Sequence, residues 1–469
     1  MNRRHFLAAM AKAALAGAAA TAAHAPLHAR AAGQSKRPNI VFIMADDLGQ
    51  YDLGCCGGKH IQTPHIDRIA AEGVRFTQVY AGSTVCAPSR SVLMTGRHTG
   101  HTTVRGNSAA AGGPPPQGRI PLNAEDVTVG EVLKASGYTT GIVGKWGLGE
   151  PDTPGIPNKQ GFDFWFGYLN QRHAHNYWTE YLWRNTEKVE FPGNSPSNRK
   201  VYSHDRMTQE ALGFVRGAAE GEPFFLYLAY TIPHGTLHPP DDKPYSDKPW
   251  SRAEKNYAAM VTRMDRDVGR LMALLKELAI EKNTIVFFCS DNGWTPSYCG
   301  PKSPFTSGGP LRGSKGNLYE GGIRVPMLVR WPGRIRPGTV SHQVWAFWDV
   351  LPTVAEIAGA EAPAGIDGIS MLPAILGRKQ ERQHEFLYWE FRTSGFQQAV
   401  RWGDWKGIRH GTEQPTELYH LKDDLSEKSD VAKEHPEVVK RIETFMAGAR
   451  TPSKHWPALP RRAKKKAKP

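Results

Sequence analysis

Residues 38–49 read PNIVFIMADDLG, a β-prone apolar run that ends in two adjacent aspartates. A run without polar alternation suits a strand covered on both faces, as in the middle of a largely parallel sheet. Three later runs share the design. YTTGIVG (138–144) ends in Lys145, FFLYLAY (224–230) is followed by Pro233-His234, and TIVFFCS (284–290) ends in Asp291-Asn292. Helical patterns lie between them. Thr63-Pro64 offers a cap and first-turn start for HIDRIAAEG, and AEDVTVGEVLKASG stops on Gly137. Residues 251–283 carry apolar side chains at three- and four-residue spacing. This alternation predicts an α/β fold with a large mixed, mostly parallel sheet flanked by helices. Ligands of such sheets bind beyond the carboxyl ends of the strands. Asp46, Asp47, Lys145, His234, Asp291 and Asn292 are therefore expected on one rim.

Taken singly, Asp46-Asp47 and Asp291-Asn292-Gly293 also read as turn chemistry. Taken together, three carboxylates and an amide oxygen form a hard donor set suited to Ca2+ or Mg2+ rather than zinc. Without a cation, carboxylates crowded at a half-buried rim repel one another. The segment TVCAPSRSVLMTGR (84–97) opens a short helical pattern of one or two turns ending at Gly96. A side chain at a helix N-terminus meets free backbone N–H groups, and Arg90 falls on the same face one turn on. Cys86 thus sits where an anion is favoured. A buried structural cysteine and an ordinary thiolate nucleophile are the other readings.

The 469 residues, 40% hydrophobic and 22% charged, have the balance of a soluble globular protein. That length suits one large α/β domain with a smaller one appended. The formal net charge of +14 is concentrated at the ends, in Arg3-Arg4 and in RRAKKKAKP at 461–469, so no nucleic-acid partner is expected. Residues 1–31 join a twin arginine to Phe6-Leu7 and an Ala-rich run, the pattern of a twin-arginine-type signal peptide. The chain is expected to use the twin-arginine export machinery and to be periplasmic or secreted. That run is too mild and short for a stable membrane span, and no later stretch is long and apolar enough. Of the five cysteines (55, 56, 86, 289 and 299), none forms a C-x-x-C pair, and the odd number leaves at least one unpaired.

Around Cys86 the chain resembles the sulfatases of the alkaline-phosphatase superfamily. Their C-x-P-x-R signature is met by Cys86, Pro88 and Arg90, followed by Thr95-Gly96-Arg97. Further matches, spread from Pro38 to about Val438, are ADDLG (45–49), TPHIDRIAAEGVRF (63–76), GYTTGIVGKW (137–146), SDNG (290–293) and LRGSKGNLYEGGIRVPMLVRWPG (311–333). The resemblance implies that Cys86 is oxidised to Cα-formylglycine by a separate formylglycine-generating enzyme. It implies that Asp46, Asp47, Asp291 and Asn292 bind one Ca2+ together with the modified residue 86. Lys145 and Lys315 would contact sulfate, His234 the leaving oxygen, and Arg90 the modified side chain. The implied reaction is sulfuric ester hydrolysis, in which a hydrated aldehyde attacks sulfur and its second hydroxyl later expels sulfate.

Family members commonly read GKWHLG, whereas this chain reads GKWGLG, with Gly147 in the histidine's place. The insertion NQRHAHNYWTEYLW (170–183) offers His173 and His175 as replacements or substrate-binding residues. Its Tyr177, Trp178, Tyr181 and Trp183 suit the flat face of a sugar ring, or plain packing. Export and this aromatic loop favour a sulfated carbohydrate as substrate. The alternatives are a phosphoester hydrolase of the same superfamily and a sulfoglycan-binding relative without turnover. On this reading residues 32–377 form the catalytic domain. Residues 378–456 form an antiparallel sheet with a helix (FLYWEF, QQAVRWGDWKGIRH, TELYHL, EHPEVVKRIETFMAG), and 457–469 a basic disordered tail.

Overall fold

The computed structural model describes residues 37–108, 118–296, 298, 303–392 and 395–458. Segment 1–31, expected to be a signal peptide, Cys299 and the tail beyond residue 458 lie outside these. The strands are β1 Asn39–Ala45, β2 Val74–Tyr80, β3 Thr139–Lys145, β4 Phe164–Tyr168, β5 Tyr181–Arg184, β6 Glu187–Glu190, β7 Phe224–Ala229, β8 Thr284–Ser290, β9 Arg324–Arg330, β10 Thr339–Ser341 and β11 Trp345–Ala346. They form one 11-stranded sheet in the order β10-β2-β9-β8-β1-β7-β3-β4-β5-β6, with β11 also on β2. The middle of the sheet, β8-β1-β7-β3-β4, is parallel throughout. All four runs identified in the sequence are therefore central strands whose carboxyl ends share one rim.

Burial explains the unbroken apolar pattern of β1. Ile40, Phe42 and Met44 enter one core, and Val41, Ile43 and Ala45 the other. The first core is completed by helices α2 (Cys86–Thr95), α3 (Val129–Ala135) and α6 (Val350–Ile357). The second is completed by α1 (Pro64–Ala71), α4 (Ser203–Ala218) and α5 (Arg252–Glu277). The result is three layers.

Local signals are met in two ways. Ser251 caps α5 in a capping box, its Oγ accepting from Glu254 N at 3.3 Å while Ser251 N donates to Glu254 Oε2 at 2.7 Å. The pattern expected to reach residue 283 stops at Glu277, because Ala279 takes a left-handed φ of 54°. Thr63 does not cap α1. Its hydroxyl accepts from Gly54 N and donates to Asp67, and the free N–H groups of His65 and Ile66 go to Asp265 Oδ1 on α5, at 2.9 and 2.7 Å.

The C-terminal part is an antiparallel sheet of β12 Leu387–Arg392, β13 Phe396–Trp402, β14 Trp405–Arg409 and β15 Thr416–His420. Helix α7 (Pro436–Gly448) covers it with Val438, Ile442, Phe445 and Met446. This unit grips the large domain through fully buried Lys406, whose Nζ lies 2.9 Å from Oε1 of both Glu320 and Glu427. Arg312 donates to Tyr419 Oη and to the Glu427 carbonyl, and Glu320 N donates to Glu427 Oε2. The segment between Arg312 and Glu320, which carries Lys315, is thus anchored at both ends on the smaller sheet. Among the described residues, no helix is long and apolar enough to cross a membrane.

Candidate active site

The rim is assembled by backbone as much as by side chains. At the end of β1, Asp47 adopts a left-handed φ of 66°, which an aspartate tolerates better than most residues. Asp47 N donates to Asp291 Oδ1 at 3.1 Å and Leu48 N to Ser290 Oγ at 3.0 Å, locking β1 to the end of β8. Asp291 therefore does hold a turn, but one contributed by a strand far away in the chain. Helix α2 begins at Cys86 and runs ten residues, longer than the one or two turns expected. Its Ser89 hydroxyl donates to the Asp291 carbonyl at 2.5 Å, fixing the helix against β8.

These contacts bring the expected residues together. Lys145 Nζ donates to Asp46 Oδ2 at 2.6 Å, and Lys315 Nζ to both Asp47 oxygens at 2.7 and 2.8 Å. Cys86 Sγ lies 3.4 Å from both Asp46 Oδ1 and Lys315 Nζ. Arg90 lies fully buried, with Nη2 2.9 Å from Asp291 Oδ2 and 3.6 Å from Asp46 Oδ2, and Nη1 donating to the Lys145 carbonyl. His234 Nε2 stands 3.4 Å from Asp47 Oδ2, its Nδ1 bonded to the Gly235 carbonyl. Asp46, Asp47, Cys86 and His234 each offer a ligand atom within 4.8 Å of the others. Asp291 stands outside that group, its oxygens engaged by Asp47 N and Arg90.

Burial opposes the ionisation of Asp46, but Lys145, His234 and Arg90 hold its carboxyl well below the ordinary value. Burial also opposes Asp47, and Lys315 and His234 bring it down to about 2. Asp291 goes the other way, to about 6, because burial and the adjacent Asp46 outweigh Arg90. Burial, reinforced by Asp46, pushes the Cys86 thiol up to about 12. The sequence placed Cys86 where a helix end favours an anion, but desolvation overrides that end. Burial therefore disfavours the thiolate that an ordinary thiolate nucleophile needs.

The donor set fits a divalent cation. Asn292 Oδ1 is buried and accepts no hydrogen bond, while its Nδ2 donates to Asp47 Oδ1 at 2.7 Å. A buried amide oxygen without a donor, beside three carboxylates, suits a ligand of a hard ion.

The insertion that carries His173 and His175 divides them. His175 stacks on His234 with ring centroids 4.1 Å apart, and burial and His234 lower it to about 3. His173 instead bonds Thr179 Oγ1 at 2.5 Å and packs on Tyr168 and Tyr181. Tyr177 and Trp178 are buried and cannot offer a face to a sugar. Tyr177 Oη donates to the Thr231 carbonyl at 2.9 Å and Trp178 Nε1 to the His238 carbonyl, so both brace the His234 loop. Two contacts escaped the sequence reading. The hydroxyls of Thr295 and Tyr298 both donate to Asp47 Oδ2. Both follow Asp291-Asn292-Gly293 closely, but no spacing rule marks them.

A family model described as "Sulfatase" matches residues 38–360, well over half of the chain. The chain belongs to the sulfatase family. A second model, "N-sulphoglucosamine sulphohydrolase, C-terminal", matches residues 314–451. N-acetylgalactosamine-6-sulfatase from Homo sapiens is 34% identical over 466 residues, covering 88% of this chain and 85% of the relative. Steryl-sulfatase from Mus musculus is 33% identical over 454 residues, covering 79% and 70%. Among solved structures, Ps i-CgsB in complex with k-i-k-neocarrahexaose has a TM-score of 0.78 at 31% identity, over 90% of this chain and 95% of that one. The phosphonate monoester hydrolase of Agrobacterium radiobacter, at 19% identity and a TM-score of 0.65 over 88% of this chain and 95% of that one, shares the fold alone. This sulfatase is a sulfuric ester hydrolase with an alkaline-phosphatase-like fold.

Proposed function

We propose that this sulfatase removes sulfate from a sulfated carbohydrate, with Cys86 converted to Cα-formylglycine by a formylglycine-generating enzyme and one Ca2+ held by Asp46, Asp47, Asp291 and Asn292. The observation that carries the reading is the buried ring of acids and cations that closes around the Cys86 thiol. When present, the aldehyde supplies an oxygen nucleophile and the cation a Lewis acid for the sulfate oxygens. The chain's own groups do the rest. Arg90, Lys145 and Lys315 match the charges of Asp46, Asp47 and Asp291, so a divalent ion leaves the site with surplus positive charge for an anionic ester. Lys145 and Lys315 flank Cys86 from the two aspartates and stand ready for the nonbridging oxygens. Lys315, held above its ordinary pKa by Asp47 in spite of burial, is the proton-bearing group for the leaving oxygen, and His234, whose pKa burial lowers, stands beside it over Asp47. Arg90 bridges Asp291, Asp46 and the backbone of Lys145, fixing the spacing of the whole set.

The carbohydrate assignment draws on N-acetylgalactosamine-6-sulfatase and on the neocarrahexaose complex, against steryl-sulfatase at similar identity. A periplasmic or secreted location through the twin-arginine machinery belongs to the same proposal and rests on residues 1–31. The test is turnover by purified protein. Sulfate should be released from a sulfated oligosaccharide faster than phosphate from the matching phosphoester and faster than sulfate from a steryl sulfate. The reverse order in either comparison rejects the proposal.

A further inference from the structure

Gly147, with a φ of 75°, leaves a gap beside its Cα that another residue fills. A Cβ there would lie 2.1 Å from Gln171 Nε2 and 2.6 Å from Gln171 Cδ. Gln171 is only 3% exposed, and neither its Nε2 nor its Oε1 has a hydrogen-bond partner. Among the described residues it is the one side-chain amide with both polar atoms buried and unmatched. Buried amides are normally satisfied, because the desolvation penalty of an unmade bond is large. The neighbouring Asn170 obeys that rule. Its Nδ2 donates to Glu150 at 2.6 Å, and its Oδ1 accepts from Arg172 N and His173 N.

Position gives the unmatched amide a purpose. Gly147 follows Lys145 by two residues, and Lys145 reaches Asp46 in the catalytic centre. Gly147 N donates to the Leu169 carbonyl at 3.0 Å, pinning this segment to the loop that carries Gln171. Four residues beyond Gln171, His175 stacks on His234. Gln171 therefore sits on the loop that delivers His175, packed against the segment that delivers Lys145. Its amide donors suit an oxyanion, and a carboxamide neither gains nor loses a proton near neutral pH.

We propose that Gln171 is a substrate-contacting residue whose carboxamide, admitted by the missing side chain at Gly147, donates to an oxygen of the bound sulfate group. The inference rests on the reading of this centre as a sulfate site. It assigns Gln171 the positioning of the anion, not the movement of a proton.

Gln171→Leu is the decisive variant, because it keeps the bulk and removes the unmatched polar atoms. Three readouts are needed on the full chain: melting temperature, kcat and KM for sulfate release from a sulfated oligosaccharide, and binding of inorganic sulfate by calorimetry. The expected result is an unchanged or raised melting temperature, with kcat/KM and sulfate affinity each lowered about 10- to 100-fold. Gln171→Glu, which sets a carboxylate against the anion, should lose more. Should Leu fold poorly, Gln171→Asn, which keeps the amide but draws it back, should show the same loss of sulfate affinity. Unchanged kinetics and sulfate binding in Gln171→Leu, with or without a fall in melting temperature, overturn the inference. If the wild type releases no sulfate but binds it, and Gln171→Leu weakens that binding, the proposed function fails while Gln171 keeps its role.

Discussion

Replacing Lys406 by methionine should impair both stability and turnover, although Lys406 belongs to the C-terminal sheet. Its ammonium is fully buried, aligned for a hydrogen bond with Glu320 and in ion-pair contact with Glu427. Removing one member of a buried ionic group leaves its partners uncompensated, at a cost of about 3–5 kcal/mol. Against an unfolding entropy of roughly 1.0 kcal/mol per kelvin for a chain of this length, that is a fall of about 3–5 °C in melting temperature. The effect should reach the active site. Burial and Glu320 already push Glu427 up to about 7, and Glu427 anchors both ends of the Lys315 segment through Glu320 N and Arg312. Without Lys406, Glu427 takes up a proton or moves, and Lys315 loses its fixed place over Asp47. Differential scanning calorimetry and steady-state sulfate release measure the two effects. Combining Lys406→Met with Glu427→Gln should recover much of the stability, since Glu320 then keeps Arg324 as its partner and no carboxylate is left unpaired. A single variant with wild-type melting temperature and kcat would refute this account of how the two sheets cooperate.

Chelation should lower the melting temperature, and added Ca2+ should restore it by about 4 kcal/mol of stabilisation at a thousandfold excess over Kd. Asn292→Leu should fold yet lose that response; the same melting temperature with and without chelator argues against the cation site. Stability should also fall on acidification through His98. Burial lowers its pKa to about 4 from 6.5. The folded value lies below the unfolded one, so the stabilisation is present above pH 6.5, is lost as pH falls towards 4, and changes no further below that. The loss should be about 3 kcal/mol. His98→Asn should flatten this part of the stability–pH curve, and an unaltered slope would remove His98 as its source.

The parallel core and its rim were legible because unbroken apolar runs ending in charged residues report both the burial of a strand and the place where it stops. β1, β3, β7 and β8 lie within a residue of their expected bounds, and the residues beyond them converge. What was hidden depends on contacts between distant segments. Thr63 looked like the cap of α1, yet Asp265 supplies it from about 200 residues away. A helix-end argument for Cys86 left out the burial that opposes an anion there, since a local pattern carries no measure of burial. His173 and His175 are equivalent in sequence, and only packing sends one to His234 and the other to Thr179. Aromatic content likewise did not distinguish a sugar platform from the bracing that Tyr177 and Trp178 provide. Gln171 was invisible because its meaning lies in the space beside Gly147.

The most direct trial of the catalytic account combines mass measurement of the tryptic peptide FTQVYAGSTVCAPSR (76–90) with sulfate release by the same preparations. Residue 86 should appear partly or wholly as the aldehyde, lighter than the thiol form because the elements of hydrogen sulfide are exchanged for one oxygen atom. Turnover should rise in proportion to that fraction and be absent in Cys86→Ala. Full turnover by protein whose residue 86 is entirely cysteine, or by Cys86→Ala, would contradict it.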